Sequence, residues 1–230
     1  MADPPASPTP NAVAAIVPTL NEAQTIIGAI DALRALGFSP IIVADGGSED
    51  ETLELARSPG VVALSAPRGR AAQMNAGAAA TKAEVLVFVH ADTRLPAQAP
   101  QMIARALADA RVVGGSFRLS FDRRHPLLAI SSWLSRFETY WTTFGDHGFF
   151  VRRAVFETVG GFPDWPLLED VELRRRLRAA GRFVKLGAAA ITSARRFFAE
   201  GVLRRQLANG SILVLHAAGV SARRLKRWYR

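Results

Sequence analysis

The residues with chemistry to offer gather where apolar runs stop. The run VLVFV at 85–89 ends on His90, Ala91 and Asp92, and the chain breaks at Pro96. Three earlier runs stop in the same way. AVAAIVP (12–18) leads into Pro18, Thr19, Asn21 and Glu22; PIIVADGG (40–47) into Asp45, Gly46, Gly47 and Ser48; and VVALSAP (61–67) into Arg68, Gly69 and Arg70. Together these sets supply what a nucleotide needs: a carboxylate that accepts from a base N–H, small residues that let the backbone come close, and fork-shaped arginine donors for a diphosphate. Taken singly, each reads more readily as turn and cap residues. Four such sets in succession favour one shared site.

An alternation of strands and helices must position them. The stretches 21–37, 48–58, 69–81 and 99–110 have helical spacing; Gly37 closes the first, and Ser48 caps the second, with acids in its first turn. Continuous apolar strands alternating with helices predict a doubly wound, mostly parallel α/β sheet covered on both faces as far as about residue 110. Ligands of such sheets bind beyond the carboxyl ends of the strands. The second half alternates less: 114–122 reads as a strand and 125–141 as an aromatic helix, while 169–181 reads as a helix closed by Gly181, with Asp170 facing Arg174 at the i,i+4 spacing. This half is expected to build a second wall of the site.

At 230 residues and 49% hydrophobic content, the chain can bury one substantial core. It has no cysteine, which excludes disulfides, thiolate metal sites and cysteine nucleophiles and suits a reducing compartment. Residues 1–11 carry no basic region followed by an apolar stretch, so they read as a disordered leader and not as a signal peptide. The formal charge of +9 comes mostly from arginines clustered at 173–182, 193–205 and 221–230. Nucleic acid, an anionic membrane surface, phosphate-bearing substrates or a plain compositional bias would each account for them. The absence of a helix-turn-helix, zinc-knuckle or aromatic RNA-binding signature argues against nucleic acid. GSILVLHAAGV (210–220) falls short of the ~20 apolar residues a span requires, though an arginine-flanked segment can lie on a membrane.

Between residues 12 and 196, the stretches IVPTLNE, VADGGSEDET, PRGRAAQMNAGA, FVHADTRLP, GDHGFFVRRAVFETVGGF and PLLEDVEL together resemble family-2 glycosyltransferases of the GT-A fold. The nearest likeness is to the bacterial subfamily described as radical-SAM/selenodomain-associated, some of whose members are labelled arsenosugar-biosynthesis glycosyltransferases. The resemblance implies a Rossmann-like, mostly parallel sheet flanked by helices. The transferase domain would span 12–196, with a donor half at 12–110 and an acceptor half at 111–196, followed by a basic helical extension at 197–230. It further implies inverting transfer of a sugar from a nucleotide-diphosphate donor, usually a uridine one, to a small-molecule or lipid-linked acceptor.

Carried onto this chain, the resemblance implies that Pro18, Thr19, Asn21, Glu22, Gly46, Ser48, Gly69 and Asn75 line the nucleotide pocket. Asp45 would take the base, and Arg68 and Arg70 would face the diphosphate. His90-Ala91-Asp92 stands where many relatives carry Asp-X-Asp, the segment that holds a divalent cation. Asp92 is assigned to Mg²⁺ or Mn²⁺, with His90 as either a second ligand or a structural hydrogen-bond partner. Asp170 matches the position of the general base. Glu169 would share that role or orient the acceptor, and the ordinary alternative for both acids is a favourable position at a helix N-terminus. Gly145, Asp146, His147 (often glutamine in relatives), Trp165, Arg195 and Arg196 are acceptor or diphosphate candidates, and Gly160-Gly161-Phe162 looks like a turn beside the acceptor. The implied location is cytoplasmic, with the inner membrane face as a candidate contact. Two rival readings stand beside this one. A nucleotidyltransferase shares the architecture but normally has a glycine-rich, lysine-bearing segment where this chain has PTLNEAQT. The other rival is a non-catalytic protein that tethers to lipid or RNA through its arginines.

Overall fold

The computed structural model describes residues 13–228. The leader expected at 1–11 lies outside them. Strands β1 (Val13–Thr19), β2 (Ile41–Asp45), β3 (Val61–Ser65) and β4 (Val85–Phe88) alternate with helices α1 (Ile26–Ala35), α2 (Thr52–Ala56) and α3 (Arg70–Ala79). There follow β5 (Thr93–Arg94), α4 (Ala99–Leu107), β6 (Val112–Phe121), α5 (Pro126–Leu134), β7 (Phe149–Arg152), α6 (Arg153–Thr158), α7 (Glu169–Ala180) and β8 (Arg182–Thr192). Three helices close the described chain: α8 (Arg195–Glu200), α9 (Val202–Ala217) and α10 (Ala222–Trp228).

One eight-stranded sheet runs β3-β2-β1-β4-β7-β6-β8-β5. The first four strands are mutually parallel, as their apolar continuity predicts, because both faces of each are covered. Side chains alternate between two cores: Val13, Ala15 and Val17 of β1 pack with α1 and α4 on one face, while Ala14 and Ile16 pack with α3, α6 and α7 on the other. Strand β7 runs antiparallel to both β4 and β6, and β8 is parallel to β6. The sheet is therefore mixed, α/β with flanking helices, and the strict parallel order belongs to the first half.

Several elements end earlier than their periodicity predicts, each for a local reason. Helix α1 starts at Ile26 and not at residue 21, because Asn21 adopts a left-handed φ of 55° and its amide bonds across to the next turn. Ser48 does not cap α2; its hydroxyl donates to Asp45 and accepts from Asn21 N–H, and the helix begins only at Thr52. The aromatic stretch 125–141 is helical only to Leu134, since the hydroxyl of Ser135 accepts from Leu119 N–H at 2.9 Å and pins the chain to β6. The apolar run at 85–89 is strand only to Phe88, and Thr93–Arg94 pairs with the end of β8.

Candidate active site

Strand register brings the tips together. Thr19 on β1 lies opposite Asp45 on β2, which lies opposite Ser65 on β3, and Val89 at the end of β4 bonds to Ile16 of β1. The carboxyl ends of these four strands therefore open on one crevice, the place where open α/β sheets bind ligands. The N-terminus of α7 forms the opposite wall: the Arg70 guanidinium, in the first residue of α3, pairs with Glu169 at 2.8 Å. The end of β8 closes a third side, where Ser193 N–H bonds to Asp92 C=O at 3.1 Å and leads straight into Arg195 and Arg196.

The two leading turns are laced to each other. Asn21 N–H donates to Ser48 Oγ at 2.8 Å, Asn21 Oδ1 accepts from Glu49 N–H at 2.9 Å, and Glu22 N–H donates to Thr52 Oγ1 at 2.8 Å. The Asp45 carboxylate, almost fully buried, accepts from Thr19 Oγ1, Gly47 N–H, Ser48 N–H and Ser48 Oγ. These four hydrogen bonds tie Asp45 to its own turn. The Asn75 amide donates to Phe162 C=O at 2.9 Å and accepts from Phe162 N–H at 3.0 Å, which fixes the Gly160-Gly161-Phe162 turn.

One residue that sequence reasoning missed sits beneath both tips. Buried Gln73 on α3 donates from Nε2 to Thr19 C=O at 2.6 Å and to Ala44 C=O at 2.9 Å. A Cβ on Gly46 would meet that amide at 2.9 Å, so the glycine is required for close approach. The available signal was a lone glutamine in an alanine-rich helix.

The acids and bases around the crevice perturb one another. Burial, with Arg70 and Arg196 nearby, pushes the His90 pKa down to about 3, so its ring is neutral. Burial and the neighbouring Glu22 raise the pKa of Asp92, against the opposing pull of Arg196 and Arg195. Glu22 itself sits 3.6 Å from Arg195 and 3.8 Å from Arg196. Asp170 is buried, with one oxygen accepting from Gly145 N–H and the other from Val171 N–H at 2.8 Å. Arg174, expected to face Asp170, pairs instead with Glu138, because Asp170 turns toward the Gly145 loop.

Asp146 lies within electrostatic reach of Asp170, Arg70 and Asp92. Burial and then Asp170 push its pKa up to about 7, and its Oδ1 is buried with no hydrogen-bond partner. Beside it, His147 is 1% exposed and kept neutral by burial and Lys185. Lys185 Nζ approaches His147 Nδ1 at 3.1 Å and donates to Ser116 Oγ at 2.7 Å; burial lowers its pKa to about 7. Lys185 was also missed, since β8 was not read as a strand. Trp165 packs edge-on against His216 of α9, ring centres 5.7 Å apart. Arg68 is exposed at the rim.

Among the described residues, no group of three or more His, Cys, Asp or Glu is placed to hold a metal ion. No helix among them is long and apolar enough to cross a membrane.

Comparisons with known proteins agree with this architecture. The mannosyltransferase PcManGT from Pyrobaculum calidifontis, solved with GDP-Man and Mn²⁺, superposes with a TM-score of 0.65 at 21% identity, covering 94% of this chain and 68% of its own. Glucosyl-3-phosphoglycerate synthase from Mycobacterium tuberculosis, solved with Mn²⁺, UDP and glucosyl-3-phosphoglycerate, gives 0.61 at 19% identity, covering 90% and 80%. At these identities the likeness establishes the GT-A fold. In sequence, glycosyltransferase AglJ of Haloferax volcanii is 51% identical over 53 residues, which is 23% of this chain and 18% of that protein. This chain therefore matches less than a fifth of that relative's length. The family described as "Glycosyl transferase family 2" matches residues 14–160, well over half of the chain. Fold and family match agree, and the chain belongs to glycosyl transferase family 2.

Proposed function

We propose that this protein is an inverting glycosyltransferase that takes a sugar from a nucleoside-diphosphate donor, with UDP-sugars the first to test. The observation that carries the reading is the meeting of four strand tips with the N-terminus of α7, which sets Arg70 against Glu169 and groups Asp92, Asp146 and Asp170 around one crevice. Pro18, Thr19, Asn21, Glu22, Gly46 and Ser48 supply the nucleotide wall, and Arg68, Gly69 and Arg70 the diphosphate wall. The narrower likeness to the radical-SAM-associated subfamily, drawn from motifs such as His90-Ala91-Asp92, belongs to this proposal.

The residues present do not form a protein-built metal cage. They do fit an ion that arrives with its nucleotide, since Mg²⁺ is commonly held by one or two carboxylates plus substrate phosphates. Asp92 would hold it, with neutral His90 beside it; when bound, the cation would neutralise charge on the departing diphosphate. Arg70, Arg195 and Arg196 supply the same kind of stabilisation from the protein.

Asp170, poised on the first turn of α7, is assigned as the base that takes the acceptor hydroxyl proton. It lies beyond residues 14–160 matched to the family; the resemblance of PLLEDVEL and the place of Asp170 on the first turn of α7 support the assignment. Asp170→Asn should abolish transfer from a UDP-sugar while UDP binding, followed calorimetrically, stays within about threefold of the parent. Normal turnover in that variant would refute the assignment. The unpartnered Oδ1 of Asp146 favours a second assignment, in which Asp146 is the base and Asp170 fixes the loop that carries it.

A further inference from the structure

A second cavity, of about 620 Å³, opens between the C-terminal end of β6 and helix α5. Four arginines line it, Arg118, Arg123, Arg124 and Arg136, over an apolar floor that includes Phe121 and Leu128; no carboxylate is in the lining. None of the four makes an ion pair among the described residues, whereas Arg153, Arg174, Arg175, Arg176, Arg195 and Arg196 all sit within 4 Å of a carboxylate. Arg118 Nε is buried with no hydrogen-bond partner, although its Nη1 reaches Gly187 C=O at 3.3 Å. Arg123 lies over the Phe198 ring at 5.4 Å and Arg136 over Trp133 at 5.2 Å, contacts that hold guanidinium groups in place without neutralising them. Gathering four like charges around one open hollow raises its positive potential, which a bound anion would offset. Guanidinium forks match phosphate and carboxylate oxygens, and the apolar floor suits a hydrocarbon body.

One short helix separates this cavity from the crevice. The arginines of α8, Arg195 and Arg196, reach Glu22, while its Phe197 packs on Phe121 at 5.3 Å and its Phe198 on His125 at 6.1 Å. Outside the mouth, α5 exposes Ile130, Trp133 and Leu134, and α9, tied to α5 by Gln206 to Ser131 at 2.7 Å, exposes Leu203 and Leu207.

We propose that this cavity binds the anionic head, a phosphate or carboxylate, of an amphipathic acceptor. Calling the ligand an acceptor rests on the glycosyltransferase reading; the binding of the anion does not. The shared chemistry has two sources, a lipid headgroup presented by a membrane or a free amphipathic anion.

The full chain would be titrated with n-decyl phosphate below its micelle concentration, following tryptophan fluorescence, with inorganic phosphate and decanol as controls. The Arg123→Glu/Arg124→Glu variant changes two exposed side chains and leaves the core untouched. Saturable binding of decyl phosphate, at least tenfold weaker in the variant and at least tenfold weaker for phosphate or decanol alone, is the expected result. No saturable binding, or equal binding by the variant, overturns the proposal. Flotation with phosphatidylglycerol vesicles against phosphatidylcholine vesicles separates the sources: variant-sensitive capture by the former assigns a membrane headgroup, and decyl phosphate binding without capture assigns a free anion. UDP and GDP titrations run in parallel. Absence of binding to either nucleotide, with decyl phosphate binding intact, would sink the transferase reading and leave the anion site standing.

Discussion

At the scale of single residues, the decisive question is which carboxylate takes the proton. Asp170 gives both oxygens to backbone N–H groups, whereas Asp146 Oδ1 receives no hydrogen bond and lies 3.6 Å from His147 Nε2. A base whose pKa lies at about 7 is active only when ionised, so transfer dependent on Asp146 should rise as pH climbs from 6 through 7 and level off above 8. Asp146→Asn would then be inactive at every pH, while a variant retaining transfer returns the role to Asp170. Asp170→Asn carries its own structural signature: one half of the new amide faces the Gly145 N–H or the Val171 N–H as donor against donor, which costs about 1–3 kcal/mol by chemical denaturation. The types of the crevice residues were legible in the sequence, and so were the places of Thr19 and Asp45 at strand ends and of Asp170 on the first turn of α7. Their partners were not. The bonds of Asp45 within its own turn and of Asn75 to Phe162 could not be read in advance, because which backbone group faces a side chain depends on turns that only the assembled sheet defines.

At the scale of elements, the crevice depends on a few side chains that hold its walls in register. Gln73 ties the β1 and β2 tips, and Gln73→Leu should lower stability by about 1 kcal/mol and weaken UDP binding further than that loss alone accounts for, since both turns lose a shared anchor. Helix α8 is held more loosely. Arg195 and Arg196 reach Glu22 only at 3.6 and 3.8 Å and are largely exposed, and such pairs contribute about 0–1 kcal/mol. The Arg195→Ala/Arg196→Ala variant should therefore melt nearly as the parent does, yet show a KM for the nucleotide sugar raised tenfold or more if the guanidinium groups turn to the diphosphate. Equal KM values would restrict them to the contact with Glu22. Helices and strands with continuous apolar faces were legible from spacing alone. β7 and β8 were not, because RFVKLGAAAIT alternates weakly and FFVR is only four residues long, so their pairing is set by the neighbours they join.

At the scale of the whole molecule, the C-terminal arginine-rich segment reads from sequence as a basic helical extension whose charge suggests a membrane contact and no packing role. The structure gives it a packing role. Leu213 of α9 and Leu225 of α10 share a buried cluster with Leu167, Leu168 and Val171, the residues that flank Glu169 and Asp170. Leu168 sits in the left-handed region at φ 61°, a conformation a leucine adopts only when its surroundings impose it, and this cluster surrounds it. The extension thus braces the turn that aims the candidate base, linking residues 213–225 to chemistry some fifty positions earlier. Leu225→Ala, at 1% exposure, should cost about 2–5 kcal/mol in denaturant and reduce transfer at temperatures where the protein remains folded, because α7 loses its brace. Val214→Ala on the exposed side of α9 should change stability by no more than about 0.5 kcal/mol and leave transfer unaltered. If the two variants behaved alike, α10 would be a passenger, and the left-handed turn before Glu169 would have to be held by the sheet alone.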